Sequence, residues 1–260
     1  MKVLFSLLLI LEPPMVRLVL FFLLLLCHTT FAFPQGENLK IAVASNLLAP
    51  LEQVKALYEE EFQSTITLIV ASSGKLTAQI VNGAPYDLFI SADMKYPEKV
   101  YAADLAQQKP EILVLGTLYF WASCSEIESI EQQLHRSKTI AIAQPDLAPY
   151  GAETRRWLQK QKLWETVKDK LVYGENVSQV NQYVATKTVE AAFTSNSAQC
   201  IAAISLKGSW HEVPNTTPLP HGMVLLRNAE ASEFTINQFL EFIISPVAQK
   251  AFQDFGYKLP

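Results

Sequence analysis

The chain has 260 residues, of which half are hydrophobic and 18% are charged, and its formal net charge at pH 7 is −4. This composition argues against a disordered chain, because enough apolar surface is present to bury a full core in one large or two modest domains. The acidic balance and the lack of a basic stripe exclude nucleic acid as an expected partner, since binding a phosphate backbone depends on clustered Lys and Arg.

The first 32 residues differ in composition from the rest of the chain. An apolar run over 18–26 follows Arg17 and is too short for a comfortable transmembrane span. The motif Thr-Phe-Ala that ends at Ala32 is typical of a signal-peptide cleavage site. We therefore predict a signal peptide over 1–32, cleavage near Ala32 and a periplasmic location. The leader holds two basic side chains and one acidic one, so the remainder carries a net charge of −5 rather than −4.

The sequence leaves two other interpretations of this leader open. Met15 is a second candidate start, and a single long uncleaved anchor would have to contain Glu12 and two prolines. A lipid anchor on Cys27 is disfavoured, because Leu26 precedes it where a lipoprotein signal has a small residue.

From residue 39 onward, apolar strand-like runs alternate with segments of helical periodicity. Strands are predicted over 39–44, 65–70 and 87–91, and a helical pattern follows each of them. Three strand–helix units in succession predict a parallel sheet covered by helices on both faces.

The apolar run over 112–122 is longer than most strands and is predicted to pass between two lobes. Beyond it the strand–helix alternation restarts and predicts a second sheet, with strands over 139–143, 170–173 and 191–194. The last of these units is predicted to continue into a helix that contains Ile201 and Ile204. A second long strand over 221–227 then returns the chain, and the terminal helices are predicted over 234–244 and 247–252.

This pattern predicts an α/β fold with two lobes, each a mainly parallel sheet flanked by helices. The first lobe is predicted to be discontinuous, over 33–117 and 224–260, and the second to cover 118–223. Two crossing strands, near 116–121 and 222–226, are expected to act as hinges. Such an architecture contains a cleft that can close on a ligand.

Small or hydroxyl residues occur where several predicted strands give way to helices. Ser45 and Ser73 occupy two such junctions in the first lobe, and Tyr150 and Val177 lie at two in the second. Ligands of open α/β sheets bind at the carboxyl ends of strands, and helix N-termini present free N–H groups to anions. About five to seven hydrogen bonds, each worth roughly 1.5–3 kcal/mol, would hold a tetrahedral dianion without Lys or Arg. The sequence equally allows both serines to be simple helix N-caps.

Four segments, in this order along the chain, resemble the periplasmic molybdate-binding proteins of ABC transporters. They lie at 71–80, 83–93, 148–152 and 174–177, and the resemblance extends from residue 39 to the C-terminus. It implies a type II periplasmic binding protein fold and high-affinity capture of molybdate, and of tungstate, outside the inner membrane. It also implies delivery to an inner-membrane ABC permease by a monomer that is not an enzyme and needs no cofactor.

The resemblance also implies roles for individual residues. Ser45 and Ser73 would each contribute a hydroxyl and a main-chain N–H group to the oxyanion, and Tyr150 and Val177 would contribute main-chain N–H groups. A tyrosine hydroxyl serves as a fifth ligand in the family, and the matching stretch here offers Thr194 as a fifth candidate, with Ser195 beside it as the alternative. These residues would hold the metal only as its oxyanion, with no direct ligand to a metal cation.

Several alternatives stay open at this point. A binding protein for another oxyanion, such as sulfate or phosphate, or for a small organic acid would share the fold. An enzyme is disfavoured, because no ordered set of nucleophile, base and metal ligands is evident. Asp87 and Asp93 are predicted to be turn and cap residues, since a carboxylate beside a dianion would repel it. Cys124 and Cys200 are compatible with a disulfide or with two buried thiols.

Overall fold

The structure, a computed structural model, describes residues 37–62, 64–201 and 208–260. The predicted signal peptide over 1–32 lies outside the described residues. Residues 37–260 form one compact unit. Among the described helices, none has the length and apolar character needed to cross a membrane.

Ten strands in the described part of the chain form two five-stranded sheets. The first sheet has the order β2-β1-β3-β10-β4, with β1, β2 and β3 parallel and β10 antiparallel to both of its neighbours. Its strands are β1 (Asn38–Ala44), β2 (Thr65–Ala71), β3 (Leu88–Ile90), β4 (Glu111–Gly116) and β10 (Leu219–Leu225).

The second sheet repeats this plan. Its order is β7-β6-β8-β5-β9, with β6, β7 and β8 parallel and β5 antiparallel to both of its neighbours. Its strands are β5 (Leu118–Ala122), β6 (Ile140–Ala143), β7 (Leu171–Gly174), β8 (Ala191–Ser195) and β9 (Ser209–Glu212). The strands predicted to be parallel are parallel, but the crossing strands make both sheets mixed.

Helices cover both sheets, which confirms the two-lobed type II α/β fold. Those of the first lobe are α1 (Leu48–Phe62), α2 (Ser73–Val81), α3 (Lys95–Ala102), α8 (Glu233–Ile243) and α9 (Pro246–Asp254). Those of the second lobe are α4 (Ile130–Arg136), α5 (Pro149–Lys160), α6 (Trp164–Val167) and α7 (Val177–Ala185). Short 3-10 turns occur at Ser45–Leu47, Lys168–Lys170 and Asn196–Cys200.

The first sheet has a hydrophobic core on each face. On one face α1 and α8 bury Tyr58 and Phe239 in edge-to-face contact, with ring centroids 5.2 Å apart. On the other face α2 and α3 bury Leu76 and Val100. The second sheet contributes most of a third core, in which Phe120 and Phe193 pack 5.0 Å apart. Each sheet is thereby held rigid, and its strand ends are available to support a site.

The chain crosses between the sheets twice. Only Thr117 separates β4 in the first sheet from β5 in the second, which confirms that the apolar run over 112–122 passes between the lobes. The return comes earlier than the predicted boundary at 224, because β10 already pairs with β4 from Leu219 onward. Pro220, the second residue of β10, does not prevent this pairing. It lacks a main-chain N–H group, and such a loss is tolerated near the start of a strand. We therefore propose that the second lobe ends within 213–218.

Three local features differ from the sequence-based expectations. The predicted helix containing Ile201 is instead the 3-10 turn Asn196–Cys200, after which Ile201 has an extended backbone, while Ile204 lies outside the described residues. Two isoleucines three positions apart are too short a pattern to establish a helix. The edge strand β9 was not predicted. Cys124 and Cys200 are both free and exposed, so they are neither bridged nor buried here.

Asp87 supports the first lobe. Its fully buried carboxylate accepts hydrogen bonds from the main-chain N–H groups of Lys40, Glu230 and Ala231 at 2.7, 2.7 and 3.0 Å. Asp93 accepts from the main-chain N–H group three residues later, at the start of α3, at 3.3 Å. Both carboxylates are therefore engaged by main-chain N–H groups of the first lobe, although the N-cap position of α3 is Met94 rather than Asp93.

Candidate functional site

Four of the predicted site residues open a helical segment that follows the carboxyl end of a strand. All four are buried, with exposed fractions of 6% or less. They are Ser45 in the 3-10 turn before α1, Ser73 at the first position of α2, Tyr150 at the second position of α5 and Val177 at the first position of α7. Each therefore lies at the positive end of a helix dipole, where N–H groups lack partners within the helix.

Strand register brings these loops together within each lobe. The last residue of β1, Ala44, pairs with the last residue of β2, Ala71, in the parallel sheet. In the second lobe Ala143 at the end of β6 pairs with Gly174 at the end of β7. Two loops of each lobe therefore leave adjacent strands at the same edge of a sheet.

Hydrogen bonds join these loops across the lobes. The main-chain N–H of Gly74 donates to the carbonyl of Leu147, in the loop before α5, at 2.9 Å. The main-chain N–H of Ser178 donates to the hydroxyl of Ser45 at 3.4 Å, and the Ser178 hydroxyl donates to the Ser45 carbonyl at 3.2 Å. Gly74 and Ser178 each directly follow a predicted site residue. All four loops consequently meet between the lobes.

The main-chain N–H groups at this meeting point are free to bind an acceptor. Those of Ser73, Tyr150 and Val177 find none within residues 37–62, 64–201 and 208–260. They belong to the first turn of a helix, which offers no acceptor to its own leading N–H groups. Because three helix N-termini from two lobes contribute them, the arrangement suits a small anion.

The two serines are not N-caps. The N-cap positions are Ala44 and Ser72, and Ser45 and Ser73 lie inside the helical segments that follow. The Ser73 hydroxyl accepts the main-chain N–H of Ala92 at 3.1 Å, so its own proton is available to donate. The N-cap interpretation of these serines is therefore wrong, and both hydroxyls can serve as donors.

Thr194 is buried in β8, but its hydroxyl is already used. It donates to the side-chain oxygen of Asn181 at 2.6 Å. The neighbouring Ser195 hydroxyl lies 2.9 Å from that of Ser197, which itself donates to the carbonyl of Asn46 at 2.8 Å. A hydroxyl has a single proton, so neither Thr194 nor Ser195 offers one to the cleft in this arrangement.

One residue of the second loop was missed by sequence reasoning. The hydroxyl of Ser72 is buried and has no hydrogen-bond partner in the described structure, and it does not cap α2. A buried hydroxyl without a partner costs free energy. Its position beside Ser73 makes it a further candidate donor to the same site.

Two side chains close the rim of the site. The ammonium of Lys75 in α2 pairs with the carboxylate of Glu175 before α7, 2.5 Å apart, with both side chains about half exposed. The hydroxyl of Tyr96 donates to the carbonyl of Asp146 at 3.0 Å. Both contacts join the first lobe to the second.

The side chain of Tyr150 lies beside the crossing between the two sheets. Its hydroxyl donates to the side-chain oxygen of Asn196 at 3.3 Å, and the same oxygen accepts the main-chain N–H of Thr117, between β4 and β5, at 3.0 Å. A side chain at Gly116 would put its Cβ 2.2 Å from the Tyr150 hydroxyl and 2.5 Å from Cε1 of His221. Burial raises the pKa of Tyr150 well above its usual value, so the phenol is neutral. Because its side chain is engaged by Asn196, the group that Tyr150 can offer to a ligand in the cleft is its main-chain N–H.

Comparisons with known proteins give a consistent result. The family model described as bacterial extracellular solute-binding protein matches residues 39–258. The molybdate-binding protein ModA of Rhodobacter capsulatus is 31% identical over 223 residues, 83% of this chain and 86% of that protein. The structure of the periplasmic molybdate-binding protein of Azotobacter vinelandii superposes with a TM-score of 0.79 at 28% identity, covering 85% of this chain and 99% of that one. The sulfate-binding protein SubI of Mycobacterium tuberculosis shares the fold alone, with a TM-score of 0.72 at 10% identity over 86% and 87% of the two chains.

Proposed function

The chain belongs to the bacterial extracellular solute-binding proteins, in the family of the molybdate-binding protein ModA, and on this premise we propose that it captures molybdate in the cleft between its lobes. Tungstate, a tetrahedral dianion of the same kind, would bind in the same way. The protein would act in the periplasm and deliver the anion to an ABC permease. The observation that carries this proposal is the meeting of helix N-termini from both lobes, with free N–H groups beside two serine hydroxyls.

The donor set favours a tetrahedral oxyanion that carries no proton. Ser45 and Ser73 would each donate a hydroxyl proton, and Ser73, Tyr150 and Val177 would donate main-chain N–H groups. Hydrogen bonds to a charged group contribute about 1.5–3 kcal/mol each, which offsets the cost of removing water from a dianion. A cage built from donors disfavours hydrogen phosphate, because its proton would need an acceptor.

Thr194 is left out of the proposed ligand set. Its proton is held by Asn181 at 2.6 Å, and that contact is fully buried. Recruiting Thr194 would mean breaking a buried hydrogen bond, at a cost of about 1–3 kcal/mol. The fifth contact of the family would therefore be absent or replaced by another donor such as Ser72.

Closure of the two lobes would complete the cage. The first lobe supplies Ser45 and Ser73 and would bind the anion first. The second lobe would then rotate about Thr117 and the return segment over 213–218, bringing the N-termini of α5 and α7 onto the anion. The closed arrangement would exclude water, which would strengthen each of the hydrogen bonds. No covalent step is involved.

Calorimetric titration tests the proposal. The protein without its leader is titrated separately with molybdate, tungstate, sulfate and phosphate at one pH and ionic strength. We expect strong binding of molybdate and tungstate and much weaker binding of the other two. A preference for sulfate or phosphate would overturn the proposed ligand.

Removing the ion pair at the rim is expected to speed release of the anion. Lys75→Ala should raise the dissociation rate about 1.5- to 5-fold, the range typical of exposed ion pairs, and the effect should shrink at high salt. Stopped-flow measurement of dissociation, following intrinsic fluorescence, provides the rate. The exposed pair between Lys168 and Glu165 supplies the control variant, Lys168→Ala. Equal rates for both variants would contradict a role for Lys75.

Ser72→Ala is expected to move stability and affinity in opposite directions. Removing a buried hydroxyl without a protein partner should raise the free energy of unfolding of the ligand-free protein by about 1 kcal/mol. Molybdate affinity should fall about threefold or more if the hydroxyl donates to the anion. Ser129→Ala is the control, because Ser129 does cap its helix, accepting from Gln132 at 3.1 Å, and should lose stability. Unchanged affinity in Ser72→Ala would remove this residue from the ligand set.

A further inference from the structure

Asn46 directly follows Ser45 and connects the loop that carries this serine to two other segments of the first lobe. Its side chain is buried, with 4% exposed. The amide nitrogen lies 2.7 Å from Nε2 of His221 in β10 and 2.9 Å from the hydroxyl of Tyr257 near the C-terminus. A residue beside the proposed ligand is thus tied to two distant parts of the first lobe.

The chemistry of His221 determines the direction of these hydrogen bonds. Its Nδ1 lies 2.8 Å from the carbonyl of Leu219, which can only accept, so Nδ1 carries the proton. Nε2 then presents a lone pair and accepts from the Asn46 amide. This contact sets the orientation of the amide, with its nitrogen toward His221 and Tyr257.

The main chain of Asn46 is held as firmly as its side chain. Its carbonyl accepts from the hydroxyl of Ser197 at 2.8 Å and from the hydroxyl of Tyr257 at 2.9 Å. Ser197 follows β8 of the second lobe, so this contact joins the two lobes. The turn that carries Ser45 is therefore fixed from both lobes.

We propose that Asn46 is a positioning residue for the anion site, whose side-chain amide, held by His221 and Tyr257, keeps the turn at Ser45 in its binding geometry. The hydrogen bond from the Ser197 hydroxyl to the Asn46 carbonyl adds a contact from the second lobe to the same turn. This inference rests on the proposed function for the identity of the anion. Asn46 would act by holding the turn in place, whereas the proposed donors would bind the anion directly.

Loss of the Asn46 side-chain amide should weaken molybdate binding, although this amide is not one of the proposed hydrogen-bond donors to the anion. In Asn46→Ala the lone pair of His221 loses its partner, and the turn at Ser45 gains conformational freedom that binding must then remove. We expect molybdate affinity to fall about fivefold or more. Phe239→Leu is the stability control, because Phe239 is fully buried in the first-lobe core and lies outside this network. It should lower the melting temperature and leave affinity unchanged.

Asn46→Asp gives a readout that a purely structural role would not move. A carboxylate oxygen then faces the lone pair of His221 Nε2, and the two repel until the ring takes up a proton. We expect molybdate affinity of this variant to recover as the pH is lowered from about 8 to about 5.5, while that of the unmodified protein stays level. The other titratable groups that pack on the His221 ring, Tyr150 and Tyr257, are neutral throughout this range.

The outcomes separate this inference from the proposed function. Calorimetry of the unmodified protein with molybdate, tungstate, sulfate and phosphate comes first, and the variants are compared with whichever anion binds. Binding of sulfate instead of molybdate would overturn the proposed function but not the role of Asn46. Unchanged affinity in Asn46→Ala, together with a level pH profile in Asn46→Asp, would overturn the role of Asn46 alone. Absence of binding by any of the four anions would overturn both.

Discussion

Replacing Ser73 with alanine is expected to weaken molybdate binding by about ten- to hundredfold, which corresponds to the loss of one hydrogen bond to a charged group. The Ser73 hydroxyl is fully buried and already accepts the main-chain N–H of Ala92, so its own proton is available to donate to a bound anion. Ser45→Ala should act in the same direction, because the Ser45 hydroxyl also accepts a main-chain N–H and keeps its proton.

Stability must be measured separately from affinity in these variants. Ser73→Ala leaves the N–H of Ala92 without its acceptor and should lower the free energy of unfolding by about 1 kcal/mol. Ser232→Ala is a matched control, since Ser232 is a true N-cap of α8 that accepts from Thr235 at 3.3 Å. It should lose about 1 kcal/mol as well, with no change in affinity. Unchanged affinity in both Ser45→Ala and Ser73→Ala would remove these serines from the site.

The second large effect is a loss of stability as the pH falls, which we expect from protonation of His221. Burial lowers the pKa of this imidazole from 6.5 to about 4. Between these values the ring is protonated in the unfolded chain and neutral in the folded one, so the unfolded state binds more protons. The stability contributed by the neutral ring is complete above about pH 6.5 and is lost progressively down to about pH 4. At about 1.4 kcal/mol per pKa unit the loss amounts to about 3 kcal/mol.

The two tyrosines that pack on the His221 ring do not stabilise its protonated form. The rings of Tyr150 and Tyr257 lie 6.0 and 5.4 Å from it, centroid to centroid. Burial raises the pKa of Tyr257 to about 12 and that of Tyr150 well above its usual value, so neither supplies a negative charge to hold an imidazolium. The network that holds Asn46 therefore depends on an uncharged histidine.

Chemical denaturation at a series of pH values measures this effect. Carboxylates titrate over part of the same range, so the relevant quantity is the difference between the unmodified protein and His221→Gln. Glutamine is uncharged at every pH and retains an oxygen that can accept from the Asn46 amide. The difference in free energy of unfolding should change by about 3 kcal/mol between about pH 6.5 and about pH 4. Parallel curves for the two proteins would contradict the assignment to His221.

Much of the fold was accessible from local sequence patterns. Runs of apolar residues predicted β1, β2 and β6, and helical spacing predicted α1 and α7, because burial of one face imposes a period on the residues that form it. The break in the run over 112–122 at Thr117 was consistent with a crossing between lobes. The short edge strand β9 and the turn at Asn196–Cys200 carry no such period and were not foreseen.

The sequence by itself determined the two-lobed α/β plan and the positions of Ser45, Ser73, Tyr150 and Val177 at strand–helix junctions, because each of these depends on neighbours in the chain. Only the tertiary structure decided which hydrogen bonds form at and around those positions. The bond from Ala92 that leaves Ser73 with a proton to donate, the contact with Asn181 that occupies Thr194, and the network that holds Asn46 all join residues far apart in sequence. Hydrogen-bond partners at that separation depend on how sheets and lobes pack together, and no local pattern in the sequence records them.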